Sequence, residues 1–354
     1  MTPPLAPAIP ETMLAAVLYG REDVRIERVA VPAPEPGGIL VKVGAALTCG
    51  TDLKVFRRGY HAAMITPPSL FGHEMAGTVV AVGGAAGAPP VPPGTRVVVA
   101  NSAPCGACRP CRRGQENLCE DLRFLNGAYA EYVAVPARFV ERNTHRIPDR
   151  LPFEAAALAE PLACVVHGLD ETPAGPGDTA AVLGLGPIGL MFVAMLRARG
   201  AAVVGIGRHA PRLEAARALG AADVIEADAA GRWVDAVRGR HPALDLVVEA
   251  TGCPEAWVQA LALVRRGGTV QLFGGCPAKT TIPVDAHRLH YDQITLKSSF
   301  HHRPSTFRAA VEALARGVLP AGAFLGGERP LEDLPALLRE MRHGNRAVKT
   351  CIRP

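Results

Sequence analysis

TAAVLGLGPIGLMFVAML, the stretch from Thr179 to Leu196, runs 18 residues without a charge. That length brings a membrane-spanning helix into consideration. Its centre, Gly184-Leu185-Gly186-Pro187, interrupts the apolar run and favours a strand, a tight turn and a helix in succession. Glycine at 184, 186 and 189 lets a backbone come close to a bulky anion, and the helix opening at Pro187 offers amide donors and a positive dipole end. The turn and helix start therefore read as a cradle for a pyrophosphate, formed by Gly184, Leu185, Gly186, Pro187, Ile188 and Gly189.

Downstream the pattern repeats. AVVGIG, DLVVEATG and TVQLFGG alternate with Ala-, Leu- and Arg-rich helical stretches, and strands buried on both faces read as uniformly apolar runs in this way. A doubly wound, parallel α/β domain is expected from about Glu160 to about Phe300. Upstream, from Met13 to about Asn143, short alternating runs (MLAAVLYG, DVRIERVAV, ILVKVGAALT, AGTVVAVG, TRVVVAN, AEYVAVPARFV) predict a β-rich first domain. Gly83 to Gly94 is too rich in Gly and Pro for regular structure and reads as a surface turn. After His301, a helix over Thr306–Arg316 and a closing strand near Val348–Ile352 are expected. At 354 residues, two domains are the natural division.

The composition is that of a folded enzyme, with 49% hydrophobic and 20% charged residues and a formal net charge of +5. The arginines are scattered, so charge alone does not point to nucleic acid. The N-terminal residues show neither a basic nor an apolar signal region, and a cytoplasmic location is the expectation. Reducing compartments disfavour disulfides, which turns the nine cysteines into a question about metal. Cys105, Cys108, Cys111 and Cys119 stand within 15 residues of one another, as a closed tetrahedral zinc site requires. Arg109, Arg112 and Arg113 among them either offset the negative charge of a four-thiolate zinc or touch phosphate. No basic helix or aromatic pattern accompanies them, so no nucleic-acid partner is expected.

Cys49, in Thr48-Cys49-Gly50-Thr51-Asp52, and His73-Glu74, after Gly72, supply a thiolate, an imidazole and a carboxylate, with Glu160 in Ala159-Glu160-Pro161-Leu162 as a further carboxylate. Such a set suits a zinc with an open position. Spacing alone also fits ordinary core residues. Taken in order, Cys49-Gly50-Thr51-Asp52, Gly72-His73-Glu74-x2-Gly77, the four-cysteine lobe, Glu160-Pro161-Leu162 and the glycine turn resemble the zinc-dependent medium-chain dehydrogenase/reductase family, in its polyol and threonine dehydrogenase-like branch.

The resemblance implies a GroES-like catalytic domain over 1–162, completed by 301–354, and a Rossmann domain over 163–300. It makes Cys49, His73, Glu74 and Glu160 the catalytic-zinc residues and leaves open which carboxylate binds directly. Cys105, Cys108, Cys111 and Cys119 would hold a second, structural zinc. Thr51 matches a proton-relaying hydroxyl and Asp52 a supporting carboxylate. Lys54 stands where the family often has His, which leaves the outer end of the relay unassigned. Gly207 replaces the acid that usually binds the adenosine ribose, while Arg208 and Arg212 suit a 2′-phosphate, so NADP is favoured over NAD. His301 and His302 fall where this branch lines its substrate pocket, and equally suit a subunit contact. The implied activity is hydride transfer between NAD(P)(H) and an alcohol or carbonyl of a small molecule, possible substrates including polyols and other secondary alcohols. A homodimer or homotetramer is implied, with no membrane partner. Two alternatives remain open at this point: reduction of a C=C bond conjugated to a carbonyl, and a dinucleotide-binding regulatory or structural protein on the same fold.

Overall fold

The structure, a computed structural model, describes residues 9–61, 63–84, 91–228, 230–344 and 348–354. It divides into two compact units, Met1–Glu160 with Arg303–Pro354, and Pro161–His302. Each has its own hydrophobic core.

The first unit is built on the strand Ile39–Leu47, whose apolar residues are buried along most of its length. It pairs antiparallel with Met75–Val82, with Tyr132–Val135 and, at its far end, with the C-terminal strand Lys349–Arg353. Arg96–Val99 and Thr144–Arg146 extend the sheet on one side and Leu325–Pro330 on the other. Val41, Val79, Val97, Phe56 and Phe139 pack the centre of its core. Three strands thus converge near Leu47. The Leu47 amide donates to the Glu74 carbonyl (3.0 Å) and the Thr48 amide to that of Thr350 (3.0 Å), which fixes the chain as it turns into the helix Gly50–Arg58.

One expected strand ends early. AEYVAVPARFV is a strand only over Tyr132–Val135; Pro136 caps the helix Ala137–Asn143, which buries Phe139 and Val140. Proline lacks the amide a ladder needs and its fixed φ suits a helix start, so the apolar run switches period there. Of the Gly- and Pro-rich turn at 83–94, residues 85–90 lie outside the described residues.

His145, on the strand Thr144–Arg146, stacks on Phe307 with ring centroids 5.3 Å apart. Burial, helped by the charge of Arg308, pulls its pKa down to about 4. The unfolded chain therefore binds more protons between roughly pH 6.5 and 4. Stability from this residue is complete above the upper value and falls as the pH drops through the window, by up to about 3 kcal/mol. Urea unfolding of the first unit across that range should show the loss, and His145→Gln should flatten it.

The second unit carries a six-stranded, all-parallel sheet. Its order is Asp223–Glu226, Ala202–Gly207, Thr179–Leu183, Leu244–Glu249, Val264–Leu272 and Thr295–Ser298. Counted along the chain this is 3-2-1-4-5-6, so the order reverses between Thr179–Leu183 and Leu244–Glu249, where Leu183 pairs with Glu249. Open α/β sheets bind their ligands at that switch point, beyond the strands' carboxyl ends. The uncharged stretch resolves into the strand Thr179–Leu183 and the helix Pro187–Ala198. Among the described residues no helix is long and apolar enough to cross a membrane.

Candidate active site

Cys49 is the N-cap of the helix Gly50–Arg58, its sulfur 3.4 Å from the Thr51 amide that donates to it. The first turn also supplies Asp52, whose Oδ2 accepts from the Cys49 amide at 2.9 Å. The same carboxylate reaches across to the loop before Met75–Val82: Oδ1 lies 2.9 Å from His73 Nδ1. Tyr129 completes its surroundings, the phenol donating toward Oδ2 at 2.6 Å, with the Leu47 carbonyl 2.9 Å away. Asp52 thus fixes the tautomer of His73, committing Nδ1 as donor and leaving Nε2 as the basic nitrogen. Burial by itself disfavours a charged His73; the Asp52 charge and hydrogen bond outweigh it and hold the ring well above the usual imidazole range.

Ligand atoms of Cys49, His73 and Glu74 lie within 4.8 Å of one another. A thiolate, an imidazole and a carboxylate so gathered fit a zinc ion with a position to spare. Glu74 has a second engagement. Lys349, from the C-terminal strand, places its ammonium 2.6 Å from each carboxylate oxygen and 3.0 Å from the Thr48 carbonyl. Lys349 is 2% exposed and Glu74 fully buried. Burial raises the pKa of Glu74 against the pull of Lys349 and His73; burial also works against the charge on Lys349, but Glu74 outweighs it and raises the lysine. Glu160, at the start of the helix Ala159–Glu171, stands outside the trio but feels the charges of His73 and Glu74, and burial raises it to about 7. Thr51 is half-buried in the first helical turn, and Lys54 one turn on faces solvent.

The four-cysteine lobe is equally suited to metal. Its sulfurs all lie within 4.8 Å of one another, Cys105 and Cys111 4.0 Å apart and Cys108 and Cys119 3.8 Å apart. Zinc–sulfur bonds of about 2.3 Å in a tetrahedron require sulfur separations of about 3.8 Å. Backbone amides supply the surroundings: Ala107 and Cys108 donate to Cys105 at 3.4 Å each, Cys105 to Cys119 at 3.2 Å and Asp121 to Cys119 at 3.4 Å. The Ala107 and Cys108 amides pull Cys105 down to about 6, toward the thiolate that metals bind, while burial pushes Cys111 up to about 12 and raises Cys119 as well. Arg112 is turned onto the Ala107 carbonyl within the lobe.

In the second unit, Gly184 has φ +93° and a Cβ there would lie 2.4 Å from Thr251 Cγ2. A Cβ on Gly189 would lie 1.8 Å from the Gly184 carbonyl oxygen, whereas one on Gly186 would meet nothing within 4 Å. Two of the glycines therefore let helix and strand close up, and the third opens the helix N-terminus to a ligand. At the next strand's end Gly207 is buried against Leu185, Arg208 is exposed, and Arg212 sits in the first turn of the helix Ala210–Ala218. The site thus fits a dinucleotide. His301 has φ +60° and its carbonyl accepts from His167 Nδ1 at 2.9 Å. His302 is buried, its ring centroid 4.0 Å from that of His301.

Residues 35–149 match the alcohol dehydrogenase GroES-like domain and residues 187–316 the zinc-binding dehydrogenase domain. The chain is 33% identical to a sorbitol dehydrogenase of Bacillus subtilis, over 98% of both proteins. The chain belongs to the zinc-dependent medium-chain dehydrogenase/reductase family, in its polyol dehydrogenase-like branch. This alcohol dehydrogenase relative is an oxidoreductase with a GroES-like and a Rossmann-like domain. An L-threonine 3-dehydrogenase of Pyrococcus horikoshii is 37% identical over 75% of each chain. Among solved structures, a zinc-binding dehydrogenase from Sinorhizobium meliloti bound to NADP superposes with a TM-score of 0.88 at 31% identity, covering 97% of this chain and 99% of the other. A 2R,3R-butanediol dehydrogenase from Bacillus subtilis gives 0.86 at 27% identity, with the same coverages. These likenesses support an alcohol oxidoreductase that uses zinc and NAD(P).

The sequence pointed to Cys49, His73 and Glu74 together and passed over Lys349 and Tyr129. Lys349 had no local signal, since its strand also carries Thr350 and Arg353. Tyr129 had none, since a buried tyrosine in a β-rich domain is ordinary core.

Proposed function

We propose that this dehydrogenase interconverts a secondary alcohol, of the polyol class, with its ketone, and that NADP is its favoured partner. The gathering of Cys49, His73 and Glu74 at one point carries the reading, with Glu160 as a further carboxylate that feels the charges of His73 and Glu74. Zinc bound there would supply a Lewis acid for the substrate oxygen, and a nicotinamide nucleotide bound at the glycine turn would supply the hydride acceptor or donor. Asp52 holds His73 in its ligand tautomer through the 2.9 Å bond. Thr51, one residue before Asp52, takes the hydroxyl proton of the substrate in this reading. His301 and His302 are the residues proposed to select the substrate. Cys105, Cys108, Cys111 and Cys119 hold a second zinc that stiffens their loop. A screen of polyols and simple secondary alcohols against 2-enoyl substrates, with both cofactors, tests the chemistry. Turnover of enoyl substrates alone overturns it.

NADP preference rests on Arg208 and Arg212 near a strand end that lacks the ribose-binding acid. One observation favours NAD: Glu226, an exposed carboxylate, pairs with Gly207 across the neighbouring strand. If the 2′-phosphate reading holds, Arg208→Ala raises KM for NADP at least about tenfold, the loss of one charge-assisted contact, and leaves NAD nearly unchanged. Glu226→Gln damaging NAD use more than Arg208→Ala damages NADP use decides for the rival.

The edge strand Thr295–Ser298 is mostly exposed, with Tyr291 65% and Phe300 58% exposed beside it. An exposed edge with apolar flanks suits pairing with a second copy, so a homodimer or larger homo-oligomer is proposed. Light scattering should give at least twice the chain mass, and Thr295→Pro should reduce it.

A further inference from the structure

At the switch point of the dinucleotide domain, Glu249 ends the strand Leu244–Glu249 opposite Leu183 and is fully buried. A buried carboxylate needs donors, and here they come from the turn that follows. Thr251 donates from its amide at 2.7 Å and from its hydroxyl, and Gly252 from its amide at 3.2 Å. The Thr251 hydroxyl in turn accepts from the Cys253 amide at 3.0 Å, where the helix Pro254–Leu263 begins. The backbone of the same residue also holds the next loop: the Glu249 carbonyl accepts from Phe273 (3.0 Å) and Gly274 (2.9 Å). A Cβ on Gly274 would lie 2.1 Å from the Gly252 nitrogen and 2.8 Å from Glu249 Oε2, so two exit loops close tightly around the carboxylate.

The consequence lies one contact further on. Thr251 Cγ2 is the atom that fills the space beside Gly184, the first glycine of the pyrophosphate turn. The Ala250 amide also donates to the Leu183 carbonyl at 2.8 Å, tying the two strands together where the turn begins. We infer that Glu249 is a positioning residue for the cofactor: by gripping Thr251 it sets the place of Gly184 and of the second exit loop, and so the seat of the pyrophosphate and the nicotinamide nucleotide. This rests on the dinucleotide reading of the glycine turn. The adenosine half is read at the strand Ala202–Gly207 in the other half of the sheet, so Glu249 acts on one end of the ligand only.

The test is calorimetric titration of the full-length, zinc-loaded protein with NADH, NADPH, 5′-AMP and 2′,5′-ADP. Glu249→Gln puts an amide donor among three donors. It is expected to weaken the better-bound dinucleotide by about tenfold and to change the adenylate fragments by no more than about twofold. KM for the cofactor should rise by the same factor as Kd, with kcat falling less. Thr251→Val keeps the methyl against Gly184 and removes the hydroxyl; about threefold weaker binding is expected, with no further loss when it is added to Glu249→Gln. Thr251→Val still reports if Glu249→Gln fails to fold. Unchanged dinucleotide affinity in Thr251→Val and Glu249→Gln overturns the inference, and so does equal weakening of dinucleotides and fragments, which marks a general loss of structure. A wild-type protein that binds neither dinucleotide fails the cofactor reading itself.

Discussion

Replacing Cys49 by Ser is expected to lower kcat/KM for the alcohol by about 10³-fold or more and to remove one equivalent of zinc per chain. The size follows from the several kcal/mol that a Lewis acid contributes to charge stabilisation at the reacting oxygen. Serine is a poor zinc ligand at neutral pH, whereas cysteine sulfur is an ordinary one, and the Cys49 sulfur already accepts from the Thr51 amide at the helix N-terminus. Asp52→Asn probes the same site through the imidazole. The Asp52 carboxylate accepts from the Cys49 amide and faces His73 and Tyr129, and an amide cannot accept from all three. A loss of about 10- to 100-fold in zinc affinity or activity is expected, smaller than for Cys49→Ser. Metal analysis alongside kinetics checks both. Full activity in Cys49→Ser, with zinc content reduced by one, ends the metal reading.

How much of this site was legible in the sequence depended on how local each feature is. The four cysteines lie so close together that their spacing alone states a tetrahedral site, and the glycine turn declares itself by interrupting an apolar run. Cys49 and His73 are 24 positions apart, joined only because the strand Ile39–Leu47 pairs with Met75–Val82 in a register that places both exits together. Pattern reading finds those strands but not their register, so the pair became visible through family resemblance. Lys349 comes from the last strand of the chain, whose pairing of Cys351 with Leu47 sets it beside Glu74. Nothing local marks it as different from a surface lysine. Glu249 is hidden otherwise: in DLVVEATG a charged residue reads as the solvent end of a strand, while the turn folds back to bury it. The helix Ala137–Asn143 was missed because Phe139 and Val140 are too few apolar positions to separate period 2 from period 3.6.

Lys349→Met should produce the largest change in stability, because it leaves the Glu74 carboxylate buried without its counter-charge. The ammonium now bonds both oxygens at 2.6 Å, and both residues are essentially inaccessible to water. Breaking a buried pair from one side costs about 3–5 kcal/mol, since the remaining ion loses its hydrogen-bonded counter-charge where no solvent can replace it. Methionine fills nearly the same volume, so packing contributes little to the difference. Adding Glu74→Gln to Lys349→Met should restore most of the loss, because a neutral amide is far cheaper to bury than an unpaired charge. Zinc gives the prediction a second edge. Glu74 shares its site with Cys49 and His73, so bound metal becomes the counter-ion that Lys349 no longer provides. The destabilisation measured by urea unfolding should then be clearly smaller in the zinc-loaded single variant than after chelation. Equal losses in the two states would mean that Glu74 does not respond to the metal, and would move the ligand assignment from Glu74 to Glu160.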